Sequence, residues 1–274
     1  MKQEEVKKAV RDGYARIAKS DSPCGCGCGC GPQTAESISG SIGYTDEEMA
    51  AVPDGANLGL GCGNPIALAS LKPGETVVDL GSGAGFDAFL AARAVGEQGR
   101  VIGVDMTPDM LDKARANAAR GGFGNVEFRL GEIEHLPLAD ASADIVISNC
   151  VINLVPDKAQ VFRDAFRVLK PGGRLMVSDI VLLGELPAAV LESIASYVGC
   201  LSGASMKDDY LAAIAAAGFA GVEVLEETPM QVGALANDPT ANAVASELGL
   251  DPQAAEEVLG KVQSIRVAAK KPAD

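Results

Sequence analysis

Asp79-Leu80-Gly81-Ser82-Gly83-Ala84-Gly85 is the stretch that decides the fold. A β-branched run, Thr76–Leu80, leads into it, and a helical pattern, Phe86–Val95, leaves it. Glycines let the backbone turn tightly and approach a ligand that a Cβ would block. A ligand held there lies at the carboxyl edge of a sheet, where open α/β sheets bind cofactors. The next strand, Arg100–Asp105, ends in an acidic residue twenty positions beyond Gly85. Such a residue accepts hydrogen bonds from two ribose hydroxyls. The dinucleotide fingerprint is not met, because its third glycine falls one residue early and Phe86 stands in its place. Asp79 and Asp87, flanking the loop, suit a cationic amino-acid moiety better than a pyrophosphate.

The same rhythm continues outward. Asn125–Leu130, Asp144–Ser148 and Arg174–Val181 read as further strands, with helical patterns over Pro108–Arg120 and Lys158–Leu169. Pro108 suits a first helical turn, and Lys170-Pro171-Gly172-Gly173 stops a helix and turns the chain. This alternation predicts an α/β fold whose parallel sheet is covered by helices on both faces. Val190–Val198 and Asp208–Ala217 read as helical, Gly221–Glu226 as a sixth strand and Val262–Ala269 as a seventh. Residues 238–260, rich in alanine and glutamate, read as a helical insertion. Upstream, residues 2–19 read as a charged helix and 20–43 as a loop. Thr45 followed by Glu48 is a capping-box pattern for a short helix within Thr45–Pro53. The chain divides into a lead-in, 1–65, and a main domain, 66–274.

Composition bounds the partners. With 274 residues the chain buries a large core, and Lys+Arg 23 against Asp+Glu 37 leaves a net charge of −14. Such a field repels nucleic acid and anionic membrane surfaces. The polar start has no apolar signal core, and no apolar run approaches the ~18 residues of a membrane helix. The expected location is the cytoplasm, where seven cysteines read as thiols for metal binding or catalysis.

At this point the chain resembles the class I S-adenosylmethionine-dependent methyltransferases over roughly residues 65–270. Leu169-Lys170-Pro171-Gly172-Gly173-Arg174-Leu175 and Gly131-Glu132-Ile133-Glu134-His135-Leu136-Pro137 add to the glycine loop and Asp105. The resemblance implies a Rossmann-like, seven-stranded, mostly parallel sheet whose terminal antiparallel strand is Val262–Ala269. It implies that Asp79, Gly81, Ser82, Gly83 and Gly85 hold the methionine part of the cofactor. Asp105 and Met106 would hold the ribose, Glu132 and Ile133 would flank the adenine, and Asn149 joins this cofactor-binding set.

Superfamily membership does not name the acceptor. A base or alcohol acceptor usually needs a general base, and the one histidine, His135, falls at the expected adenine pocket. The Asn/Asp-Pro-Pro-aromatic signature of amine methylation is absent, and Ser148-Asn149-Cys150-Val151-Ile152-Asn153-Leu154 stands there instead. Cys150 therefore sits at the carboxyl end of the fourth strand. Cys62 lies in Gly59-Leu60-Gly61-Cys62-Gly63-Asn64-Pro65, and Cys200 follows the fifth strand. Three thiolates on one rim suit a thiophilic trivalent centre, whose lone pair attacks a sulfonium methyl without a general base.

These residues resemble those of the arsenite methyltransferases, through Gly59–Pro65, Asp79–Asp87, Ser148–Leu154 and Gly199-Cys200. The resemblance implies that Cys62, Cys150 and Cys200 bind As(III) and that methyl groups are added stepwise. It also implies an N-terminal cysteine that pairs with Cys62 to reduce the product, with four candidates here, Cys24, Cys26, Cys28 and Cys30. A thiol reductant, glutathione or thioredoxin, would be the co-substrate, and arsenite or its thiol conjugates the substrate. The Cys-Gly run does not match paired C-x-x-C zinc spacing, so arsenic capture, redox relay and an incidental metal-binding tail all stay open. Tyr44 and Met49 read as packing residues. Two other readings share the cofactor loop. One is a methyltransferase of a small organic carbon or oxygen acceptor, and the other a non-catalytic soft-metal binding protein.

Overall fold

Side-chain alternation along the inner strands builds two apolar layers on opposite faces of one sheet. The computed structural model describes residues 3–19, 35–65, 70–192, 201–229 and 252–273. Its strands are β1 (Thr76–Leu80), β2 (Arg100–Asp105), β3 (Val126–Leu130), β4 (Ala143–Asn149), β5 (Leu169–Leu182), β6 (Ser205–Met206), β7 (Ala220–Pro229) and β8 (Val262–Lys270). Its helices are α1 (Gln3–Lys19), α2 (Ala35–Ser41), α3 (Asp46–Ala50), α4 (Phe86–Val95), α5 (Pro108–Gly121), α6 (Lys158–Val168), α7 (Ala188–Glu192), α8 (Lys207–Ala216) and α9 (Pro252–Leu259).

Seven strands join in the order β3-β2-β1-β4-β5-β8-β7. The first five are parallel, and β8 runs antiparallel between β5 and β7. This is the mostly parallel sheet expected of the sequence. The two-residue β6, paired with Val181 and Leu182, adds an eighth strand too short to leave a sequence signal. Val77, Val101, Ile145 and Ile147 pack against Phe89 of α4 and Leu111 of α5. Val78, Leu80, Ile102 and Val146 face the other way, onto Phe162 of α6 and Tyr210 and Ile214 of α8. The chain leaves β1 for β2 on one side and β4 for β5 on the other. A crevice therefore opens between the carboxyl ends of β1 and β4, where ligands bind in open α/β sheets.

The turn at Lys170–Gly173 ends α6 as expected, and its four residues bulge out of the sheet. Leu169 pairs with Ala143 and Arg174 with Ile145, with Gly172 at φ +78° between them. The capping box is present: the Glu48 N–H donates to Thr45 Oγ1 at 3.1 Å and the Thr45 N–H to Glu48 Oε2 at 2.8 Å. One expectation is corrected, since residues 35–41 are the helix α2 and not part of a loop. Its serine- and glycine-rich sequence has low helix propensity, so tertiary contacts decide. Ser39 Oγ donates to Asn57 Oδ1 at 2.9 Å, and Ala35 is buried against Gly59. Of the insertion at 238–260 only α9 and the residue after it are described, and of Val190–Val198 only the first three residues.

Gly85 shows why the decisive loop demands glycine. Its φ is +98°, and a Cβ there would sit 2.6 Å from the Phe89 ring and 2.9 Å from Phe128. Both rings are buried, so neither yields easily. Gly85→Ala is expected to destabilise the fold by about 2–4 kcal/mol through strain and overpacking. Urea unfolding at constant m-value checks this, and an unchanged midpoint would contradict it.

Candidate active site

Three carboxylates converge where β1 and β2 end. Asp79 is buried on β1, Asp87 is buried in the first turn of α4, and Asp105 closes β2. Asp105 anchors the glycine loop, accepting from the Gly83 N–H at 3.0 Å and from the Thr107 N–H at 2.8 Å. Burial, then the neighbouring charges of Asp87 and Asp105, hold the Asp79 carboxyl well above the usual carboxylate range. Burial likewise pushes Asp87 up to about 6, with hydrogen bonds from Tyr44 and Asn149 opposing. Asp79 Oδ2 and Ser82 Oγ are buried with no hydrogen-bond partner among the described residues. Among the described residues nothing lies within 4 Å of the position a Cβ would take on Gly83. These features fit a cationic ligand carrying an ammonium and a sulfonium, with Asp105 able to accept from ribose hydroxyls.

The folded pKa of about 6 for Asp87 exceeds its ordinary 3.8, so folding favours its neutral acid. That stabilisation is complete below about pH 4 and is lost as pH rises through about 6. Asp87→Asn is therefore expected to gain stability relative to the native chain by about 3 kcal/mol between pH 4 and pH 7. Denaturant unfolding of both proteins across that range measures the difference, and a pH-independent difference would refute the assignment.

Asn149, at the end of β4, links this cluster to the Cys62 loop. Its Nδ2 lies 2.9 Å from Tyr44 Oη, 2.8 Å from the Gly63 carbonyl and 3.1 Å from Asp87 Oδ2. Its Oδ1 accepts from the Cys62 N–H at 3.1 Å. Tyr44, expected only to pack, does both: its ring is buried against Phe86, and its hydroxyl donates to Asp87 Oδ1 at 2.6 Å. Ser264 Oγ on β8 donates to the Cys62 carbonyl at 2.7 Å. Gly63 is required by close approach, because a Cβ there would lie 2.1 Å from Ser178 Oγ.

Cys150 follows directly, in a left-handed conformation at φ +56° that is uncommon for a residue with a Cβ. Its N–H donates to the Ser178 carbonyl at 2.8 Å, fixing the turn against β5. The thiols of Cys62 and Cys150 and a carboxylate oxygen of Asp179 all lie within 4.8 Å of one another. Asp179 is fully buried, which pushes its carboxyl up to about 7. Asn153 and Tyr210 hydrogen-bond to it.

Met106 packs against the apolar cluster that contains Cys150, and Ile133 is buried in the cluster of Val104 and Leu136. Glu132 pairs with Lys7 of α1 at 2.6 Å, which Glu134 also approaches at 3.0 Å. Val10 of α1 joins the cluster containing Cys150 and Ile180, so this helix covers the rim. His135 points to solvent. Cys200 and the run Cys24, Cys26, Cys28 and Cys30 lie outside the described residues. Sequence reasoning passed over Asp179 and Tyr210, and took in Asn153 only as part of Ser148–Leu154, without a role. Asp179 carried a signal as half of a Ser-Asp pair inside the apolar run Leu175–Leu182.

The pattern of a methyltransferase domain family matches residues 71–218. An arsenite methyltransferase of Halobacterium salinarum is 53% identical over 230 residues, covering 81% of this chain and 59% of that protein. Another, from Aquipseudomonas alcaligenes, is 41% identical over 196 residues, covering 69% and 54%. The chain thus spans between half and two thirds of these curated relatives' length. The crystal structure of CrArsM, an arsenic(III) S-adenosylmethionine methyltransferase from Chlamydomonas reinhardtii, superposes with a TM-score of 0.61 at 34% identity. That match covers 88% of this chain and 74% of CrArsM.

Proposed function

Because this chain belongs to the arsenite methyltransferases, within the methyltransferase-domain family, we propose that it methylates trivalent arsenic held by the thiols of Cys62, Cys150 and Cys200. The observation that carries this reading is the approach of the Cys62 and Cys150 thiols, 88 residues apart in sequence, to within 4.8 Å beside the cofactor crevice. The cofactor, S-adenosylmethionine, supplies an electrophilic methyl group on a sulfonium sulfur. Asp79, Ser82 and the loop Gly81–Gly85 would hold its methionine part, Asp105 and Met106 its ribose, and Glu132 and Ile133 its adenine edge. Asn149 holds the Cys62 backbone and Asp87 together, so it sets the thiol loop against the cofactor cleft.

Each thiol that binds arsenous acid gives its proton to a departing hydroxide, so one water leaves for every S–As bond formed. Arsenic keeps its lone pair opposite the sulfurs; that pair would form the arsenic–carbon bond as the methyl–sulfur bond of the sulfonium breaks, its electrons staying on sulfur in the neutral thioether product. Sulfur ligands suit this soft centre, and no general base is needed. Transfer raises the formal oxidation state of arsenic from three to five, and two thiols supply the two electrons that restore it as they form a disulfide and release their protons.

One cysteine of the run Cys24–Cys30 would take part in that reduction, as the resemblance implies. Lys19 at its upstream side pairs with Asp109 at 3.0 Å, and Ala35 at its downstream side lies against Gly59. Cys30 is five residues from Ala35, a span of up to roughly 17 Å when extended. Glutathione or thioredoxin would renew these thiols, and the cytoplasm would keep them reduced. The lead-in, 1–65, acts in this reading as the cover and supply arm of the domain 66–274. Among the described residues no helix is long and apolar enough to cross a membrane.

Incubation with As(III), glutathione and labelled S-adenosylmethionine, followed by chromatographic arsenic speciation, tests the proposal. Labelled methylarsenicals are the expected product. Their absence, with cofactor binding intact, would overturn it.

A further inference from the structure

Asp179 has no part in methyl transfer as derived above, yet its carboxylate faces both thiols. Hydrogen-bond donors on several elements aim it. Asn153 Nδ2 and the Ile180 N–H reach Oδ1 at 2.7 and 3.0 Å, and Tyr210 Oη reaches Oδ2 at 3.1 Å. Asp179 and Asn153 are fully buried, and Tyr210 is 1% exposed. A carboxylate in such a place is costly unless something there uses it. Carboxylates oriented by a fixed shell of hydrogen bonds are typical of metal ligands. Trivalent arsenic is satisfied by sulfur alone, whereas a borderline divalent cation takes sulfur and oxygen together.

We propose that Cys62, Cys150 and Asp179 form a two-sulfur, one-oxygen site for a single divalent cation of the zinc class, which competes with As(III) for the two thiols. Zinc binds sulfur at about 2.3 Å and carboxylate oxygen at about 2.0–2.2 Å, so neighbouring donors in a tetrahedron sit about 3.5–3.8 Å apart. The present separations, none above 4.8 Å, close to that value by side-chain rotations of about 1 Å. Each thiol releases its proton to solvent as its bond to the cation forms, and a water completes the tetrahedron. The inference shares the two thiols with the functional proposal but does not depend on methyl transfer.

The test uses the full chain with Cys24, Cys26, Cys28, Cys30 and Cys200 changed to serine, which leaves Cys62 and Cys150 as the thiols. Titration with Co2+ is expected to give a sulfur-to-cobalt charge-transfer band that saturates at one equivalent. X-ray absorption of the Zn2+ form should show two sulfurs at about 2.3 Å and oxygen at about 2.0 Å. Asp179→Asn in the same background should lower Co2+ affinity at least about tenfold. Unchanged affinity in that variant would overturn the site. Should the variant fail to fold, the X-ray absorption of its parent decides, and a shell without two sulfurs overturns the site.

In the native chain, Zn2+ should raise the As(III) concentration needed for half-maximal methylation without altering cofactor affinity. A native chain that methylates no arsenic, while the serine variant holds Co2+ through two sulfurs, would refute the functional proposal and leave the site standing. Methylation without sulfur-bound cobalt would do the reverse.

Discussion

Cys150→Ser is expected to abolish As(III) methylation, by at least ~1000-fold or about 4 kcal/mol, while cofactor affinity stays nearly unchanged. Serine keeps the size of the side chain and retains the backbone bond to the Ser178 carbonyl, so the left-handed turn survives. What changes is the ligand. A hydroxyl is hard and stays protonated near neutrality, so it offers little to a soft trivalent centre. Cys150 lies one residue beyond Asn149, whose contacts to Asp87 and Cys62 use its own side chain. Arsenic speciation with the variant, paired with calorimetry of the cofactor, separates the two effects. Full activity would sink the thiolate mechanism.

Asp105→Ala is expected to weaken cofactor binding by at least ~100-fold. The substitution removes the acceptors proposed for the ribose and also the anchor of the glycine loop, since the Gly83 and Thr107 N–H groups both donate to this carboxylate. Bonds to a charged group contribute about 1.5–3 kcal/mol each, so losing two accounts for a drop of that size. Asp105→Asn keeps the shape and one acceptor oxygen, and should fall between the variant and the native chain. Calorimetric titration with S-adenosylmethionine reads both, and an unchanged affinity in Asp105→Ala would contradict the ribose assignment.

Comparison of particular elements shows where sequence reading succeeds. Helix α4 begins and ends where its pattern does, at Phe86 and Val95, and β2 spans the expected Arg100–Asp105. Both rest on local signals, glycines that turn the chain and, for β2, a short apolar run buried on both faces. Helix α2 escaped because its helicity depends on Asn57 and Gly59, some twenty residues away. Tyr44 was legible as a buried ring but not as a donor to Asp87, 43 residues on.

What the sequence by itself determined is the α/β class, the glycine loop with its three acidic neighbours, and the cysteine just past the end of β4. Each rests on short-range spacing or on residue chemistry. Tertiary structure alone decided that the Cys62 and Cys150 thiols meet and that Asp179 faces them. It also decided that Asn149 ties the thiol loop to the carboxylate cluster. The physical reason is sheet order. Placing β4 between β1 and β5 brings Ser178 and Asp179 beside Cys150. The close approach of Gly63 to Ser178 then carries the Cys62 loop across the same edge. Contacts of that kind depend on which strands are neighbours, and no local pattern encodes them.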